Sequence, residues 1–425
     1  MKIKLIHIQT RIQKIRQKGF FHLLSANILI QIVAFTSQLI VAGILMPEDI
    51  GRIKIIQTYL SIFSIIAGMG FNVSTLKLCS ENRTKEERNT LFRAGLFFTI
   101  ISTTCLFLLI LLLNYFHIFT RDSLIQWLIP LGLFPIISSS LFSVITSYFQ
   151  AANEFKTLSA LTVSNKVISI IGILILTYFW GIKGYYVAYN LGLILMLLVC
   201  FKVIRIEHTK TSLSDRFSYF SSHWKYAKSS LWANLLSEMS AYVDIVLIGF
   251  FIADMHQIGF YSFALTITIL FRLFPSTVQQ ITSPIFSSIS NQKEQFQIAF
   301  KRYNKILYLV VAVTFLAAWL TIPPIVHFVF NGKYDESMHY FPFLALGWSL
   351  RQLVQLQSAA IFGLGKIHYN ALVSFIVLLF NIIIISISLH FYGLMGAAYA
   401  SIPGGFVFVC LSRYYFHKAL REMVE

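Results

Sequence analysis

The sequence predicts an all-α polytopic membrane protein, with twelve transmembrane helices built as two parallel-repeat six-helix bundles around a central cavity. Three observations carry this: an apolar composition, apolar runs that recur along the whole chain, and an internal repeat. Of 425 residues, 57% are hydrophobic and 12% charged, with a mean hydropathy of +0.72. Soluble domains carry about a quarter charged residues. Runs of about 20 apolar residues suffice to cross the hydrocarbon, and without period-two alternation they read as helices rather than barrel strands.

The expected spans are 22–45, 55–78, 94–114, 124–149, 157–179, 184–204, 229–252, 259–287, 306–330, 339–362, 369–391 and 393–415. Residues 1–20 precede them as a basic amphipathic arm, with Leu5, Ile8, Ile12 and Ile15 on one face and Lys2, Lys4, Arg11, Lys14, Arg16 and Lys18 on others. Such an arm suits an anionic leaflet. The expected organisation is a first bundle at 21–204, a cytoplasmic linker at 205–228, a second bundle at 229–416 and a cytoplasmic tail at 417–425.

Charge fixes the orientation. Of the 34 Lys and Arg, 26 fall on one side of the membrane, five on the other (Arg52, Lys54, Arg121, Lys183, Lys333) and three inside spans. The basic side is cytoplasmic by the positive-inside rule, so both termini are expected there. The net charge of +17 is thereby explained without nucleic acid. The four cysteines lack metal or redox spacing, and no cofactor or metal is expected.

The repeat shows at two places. Asp49-Ile50-Gly51 opens the second span, and Gln257-Ile258-Gly259 opens the eighth, 208 residues later. Phe179-Trp180-Gly181-Ile182-Lys183-Gly184 matches Phe391-Tyr392-Gly393-Leu394-Met395-Gly396 at an offset of 212. An even number of spans per half relates the halves by an axis along the membrane normal.

Buried charge marks the candidate site. Glu238 and Asp244 lie inside the seventh apolar run, and a carboxylate at that depth costs about 2.5–3.5 kcal/mol unless it faces protein or water. They are six residues and so about 120° apart on a helix; Arg272 in the next span is therefore the expected partner of one while the other faces the cavity, and the alternatives are a structural ion pair or a substrate or ion path. Arg351 and Lys166 are further cations within spans. By subtraction of the repeat, Arg272 corresponds to Ser64 and Arg351 to Ser139, both in polar stripes. Those stripes comprise Asn27, Gln31 and Gln38 in the first span, Gln57, Ser61 and Ser64 in the second, and Ser139, Ser143 and Thr146 in the fourth.

The pattern Asp244, Ile248-Gly249, Phe251, Gly259-Phe260-Tyr261 resembles the seventh helix and following turn of the polysaccharide-exporter, or Wzx-type oligosaccharide flippase, family. That family lies within the multidrug/oligosaccharidyl-lipid/polysaccharide exporter (MOP) superfamily. Leu45-Met46-Pro47-Glu48-Asp49-Ile50-Gly51 and Gly70-Phe71-Asn72-Val73-Ser74-Thr75 are similar to its first outer turn and second-helix end. The resemblance implies two bundles forming a V that opens alternately to either side. It implies transport of undecaprenyl-pyrophosphate-linked oligosaccharide for O-antigen or capsule, and a functional link to polymerase and chain-length machinery.

On that reading Arg272, Arg351 and Lys166 bind pyrophosphate and sugar with Asn27, Gln31, Gln57 and Ser64. Guanidinium is suited to bidentate phosphate recognition. Asp244 and Glu238 are the candidate ion-coupling pair, with H+ or Na+ as the ion. Two rivals remain. One is an organic-cation exporter of the same superfamily. The other is a membrane polymerase or ligase, disfavoured because the outer loops are short and no catalytic motif is present. The protein is therefore expected not to be an enzyme.

Overall fold

A computed structural model describes residues 20–81, 84–120, 122–152, 154–203, 217–268, 270–289 and 292–422, with side chains from Gln31 onward. The amphipathic arm and most of the linker lie outside the described residues. The described residues form fourteen helices: α1 (Phe20–Ile44), α2 (Pro47–Gly68), α3 (Phe71–Ser80), α4 (Lys85–Tyr115), α5 (Ser123–Leu133), α6 (Pro135–Ala151) and α7 (Phe155–Val203), then α8 (Phe220–Phe251), α9 (Met255–Ile267), α10 (Leu270–Ser288), α11 (Lys293–Phe330), α12 (Ser337–Gln352), α13 (Gln355–Gly363) and α14 (Ile367–Arg421).

These make twelve membrane passages. Three passages are broken pairs (α2 with α3, α9 with α10, α12 with α13), α5 and α6 form a fourth pair, and α7 and α14 are each two passages joined at a kink. Among the described residues, six of these helices, and α5 with α6 taken together, are long and apolar enough to cross a membrane.

The kinks carry the repeat at backbone level. Gly181 has φ 59° and ψ −141°, and Gly393 has φ 57° and ψ −145°. A side chain would strain that left-handed φ, so glycine stands at both corners. Three residues on, a Cβ at Gly184 would fall 1.9 Å from the Leu176 carbonyl oxygen, and one at Gly396 would fall 1.9 Å from that of Ser388. The same hairpin is thus built twice. The breaks within passages are not repeated: Met69 and Gly70 interrupt the second in the left-handed region, whereas the eighth breaks near Thr268.

Two boundaries differ from expectation. The second passage begins at Pro47 rather than 55, because proline at the first turn with Glu48 and Asp49 beside it is a favourable helix start. The seventh begins at Phe220 rather than 229, and its first turns dock on the first bundle. There His223 is fully buried between α3 and α4. Its Nε2 donates to the Leu91 carbonyl at 3.1 Å, which leaves Nδ1 to accept from the Ser74 hydroxyl at 2.8 Å. Gly70, at φ +74°, lets the Ala227 backbone approach so closely that a Cβ would meet its oxygen at 2.4 Å. The other end of α8 packs on α14 in the second bundle. One helix therefore bridges both halves.

Candidate functional site

At the end of the molecule opposite the basic loops, the halves meet along a seam. Gly51 and Gly259, equivalent in the repeat, pack on each other: a Cβ on Gly51 would sit 2.9 Å from the Gly259 nitrogen, and one on Gly259 would sit 1.9 Å from the Pro47 oxygen. The turn after α11 closes over the seam. Lys333 Nζ donates to the carbonyls of Ala42 (3.1 Å), Gly43 (3.2 Å) and Leu45, and the Tyr334 hydroxyl donates to Ala42 at 2.9 Å. A cation there neutralises the free carbonyls that end α1. Burial under this turn lowers the Lys333 pKa from its ordinary value, with Glu48 opposing the shift. Beneath, the Tyr334 ring stacks on Phe263 at 3.9 Å and lies edge-on to Phe330 at 5.2 Å. Helix carbonyls, lysine and aromatic rings together form a roof.

Under the roof lies a cavity of about 270 Å³. Its walls come from α1 (Ser37, Gln38), α2 (Lys54, Gln57, Ser61), both arms of α7 (Lys166, Ser169, Tyr185, Tyr189), and from the second half Tyr242, Phe263 and Thr266. Tyrosine and amide surfaces with two lysines suit a polar, anionic guest, and no carboxylate is among the described residues that line it. Lys54 lies over the Tyr242 ring at 5.6 Å. Gln57 donates to the Tyr185 hydroxyl at 2.6 Å, so its amide is held in place within the wall.

The expected site residues divide. Lys166 and Gln57 line the cavity. Ser64 is half-buried on α2 outside the lining, its neighbour Ser61 taking that place, and Gln31 is half-buried on α1, also outside it. The side chain of Asn27 lies outside the described residues. Arg272 is exposed, on α10 nearer the basic face, where Glu238 senses its charge and faces Ser61. Ser61 in turn lines the cavity.

Arg351 lies apart from this cavity. It does not share a chamber with Arg272. It lies inside the second bundle, stacked over Trp348 at 5.4 Å, in a separate cavity of about 20 Å³ with Asp244, Asn381 and Ser401. That space holds about one water, not a sugar or a pyrophosphate. Asp244 correspondingly senses Arg351 and Lys54 rather than Arg272, and accepts from the Tyr261 hydroxyl at 3.1 Å and the Ile245 amide at 2.9 Å. Asn381 is 1% exposed, and its amide has no hydrogen-bond partner among the described residues. Of the two carboxylates, Glu238 is the one within reach of the Arg272 charge, while Asp244 shares its small cavity with Arg351.

Lys54 is the residue that sequence reasoning missed. Beginning the second span at 55 leaves it in an outer loop. The signal that places it inside is the Pro47-Glu48-Asp49 helix start, which makes Lys54 a helix residue well past the first turn.

A sequence profile described as "Polysaccharide biosynthesis protein" matches residues 40–339. Among curated proteins none matches the sequence. Solved structures do match in fold. One is described as the "inward-facing conformation of a multidrug resistance MATE family transporter of the MOP superfamily", with TM-score 0.79 and 14% identity, covering 93% of this chain and 95% of that one. A second is "lipid II flippase MurJ, inward closed conformation", with TM-score 0.78 and 18% identity over 95% and 90%. A third is the "outward-facing conformation" of a multidrug resistance MATE family transporter, with TM-score 0.68 and 15% identity over 96% and 95%. At such identities the likeness is one of fold, that of MOP-superfamily transporters.

Proposed function

The chain belongs to the polysaccharide biosynthesis protein family, and from that premise we propose that it is a flippase for polyprenyl-pyrophosphate-linked oligosaccharide, working by alternating access in a bacterial inner membrane with both termini cytoplasmic. The observation that carries the reading is the roofed cavity between the halves, walled by tyrosines, amides and two lysines and with no carboxylate among the described residues that line it. An exporter of organic cations requires acidic lining. This lining favours an anionic, hydroxyl-rich guest instead.

The seam and the Lys333 latch close the outer end, so the state described is the one loaded from the cytoplasm. Higher TM-scores to inward-facing relatives than to the outward-facing one support that reading. The head group enters from the basic face, where exposed Arg272 meets the pyrophosphate, and its sugars extend upward past Ser61 and Gln57. Asp244 and Arg351 serve ion coupling rather than substrate binding: a proton or sodium ion on Asp244 competes with Arg351, and so biases the packing of α8 on the second bundle.

Proteoliposomes holding the full chain and a fluorescent polyprenyl-pyrophosphate oligosaccharide provide the test. Protein-dependent arrival of the oligosaccharide in the opposite leaflet is expected. Transport of an organic cation with none of the lipid-linked sugar would refute the reading.

A further inference from the structure

We propose that the transported head group bears an acidic substituent on a sugar remote from the pyrophosphate, and that Lys54 is the specificity-determining residue that reads it; the inference rests on the flippase reading above. Two lysines line the cavity and no carboxylate does. An ammonium withdrawn from water demands a compensating anion, whereas a neutral sugar offers only hydroxyls. No ion pair holds Lys54 among the described residues, and its ring contact is with Tyr242, from the facing half. The carboxylate whose charge reaches it, Asp244, lines the neighbouring small cavity and is already engaged by Tyr261, the Ile245 amide and the charge of Arg351.

Depth separates this cation from the pyrophosphate site. Gly51 and Gly259 lie at one level, because they touch. Lys54 is three residues below Gly51 and Arg272 is thirteen below Gly259, on helices that run the same way from the seam. Counted at 1.5 Å of rise per residue through the break near Thr268, the backbone at Arg272 lies about 15 Å nearer the basic face than that at Lys54. An oligosaccharide head bridges that distance and a pyrophosphate alone does not. A pyrophosphate held at Arg272 therefore leaves Lys54 beside a distal sugar, directly under the roof. A carboxylate there completes the ion pair that the cavity lacks, with Lys166 contributing a second positive charge from the α7 wall. The substrate class is an oligosaccharide with a uronic acid, or an equivalent acidic substituent, away from its reducing end.

The test uses full-length protein in proteoliposomes with two polyprenyl-pyrophosphate trisaccharides, identical except that the terminal sugar is a hexuronic acid or the matching hexose. The pyrophosphate is common to both, so its contribution cancels in the ratio of rates. Wild type is expected to move the acidic substrate at least about tenfold faster, the span of one charge-assisted hydrogen bond. In Lys54→Gln that ratio falls towards one, and Lys54→Arg, with its charge retained, keeps most of it. Melting curves of the purified variants confirm that each is folded. Equal rates for both substrates in wild type, or a preference unchanged in Lys54→Gln, overturn the inference alone. Transport of neither overturns the flippase reading with it.

Discussion

A single methyl group on Gly259 measures how much of the closed state depends on the seam. The Cβ of Gly259→Ala falls 1.9 Å from the Pro47 oxygen, where ordinary contact needs about 3.4 Å, so the helices must part by about 1.5 Å. The obstructing atom is backbone and cannot rotate away. Overpacking of this kind costs about 1–3 kcal/mol. Because the clash lies between the halves, opening relieves it, and the cost falls on the closed state alone. A 2 kcal/mol shift changes the ratio of closed to open about thirtyfold.

Ser37, buried in the cavity wall, reports on that ratio. In a cysteine-free background, Ser37→Cys is expected to react slowly with a membrane-impermeant maleimide added outside, and at least tenfold faster once Gly259→Ala is added. Gly396→Ala supplies the control. Its Cβ meets the Ser388 oxygen at the same 1.9 Å, but within one bundle. It should lower the melting temperature and leave labelling unchanged. An unaltered labelling rate in folded Gly259→Ala, or equal acceleration by both variants, would refute the assignment of the seam as the outer gate.

Further expectations follow from the same geometry. Lys333→Met, which keeps the aliphatic stem and removes three donors to the end of α1, should raise Ser37→Cys labelling less than Gly259→Ala does, because the glycine contact remains. His223→Ala empties a fully buried site and strands the Leu91 carbonyl, so it should cost about 3 kcal/mol in thermal or denaturant unfolding of the detergent-solubilised protein. Asp244→Asn should abolish the response of flipping to an imposed proton or sodium gradient while substrate affinity changes less than twofold, and a retained response would assign Asp244 a structural part only.

The Glu422 carboxyl is held below its ordinary range by the Tyr369 hydroxyl and then by Lys366, 2.9 Å away. A depressed carboxylate stabilises above its unfolded value and loses that contribution as pH falls through the folded one. A small melting difference between wild type and Glu422→Gln should therefore be present at neutral pH and vanish in acid.

What the sequence determined by itself is what local backbone physics and solvent transfer control. Twelve passages were legible because each apolar run must satisfy its own backbone hydrogen bonds in lipid. The repeat was legible at Gly181 and Gly393 because a left-handed corner admits little but glycine, and Gly51 and Gly259 were visible as equivalent positions for the same reason of close approach. Gln57 was legible as part of a polar stripe through helical periodicity, and Lys166 only as a cation within an apolar run.

Tertiary structure alone decided which charge meets which. Along the chain Arg272 is nearer to Asp244 than Arg351 is, yet α8 lies against α14 with Arg351 on its second-bundle side, and the pairing follows that packing. Subtracting the repeat offset placed Arg351 on a polar face but did not say which cavity that face bounds, because the two halves surround different voids. Lys54 is the clearest case. Its residue type and its place near a helix start suggest an outer loop. It lies in the lumen only because the starts of α2 and α9 close on each other above it, and that contact is made by glycines 208 residues apart.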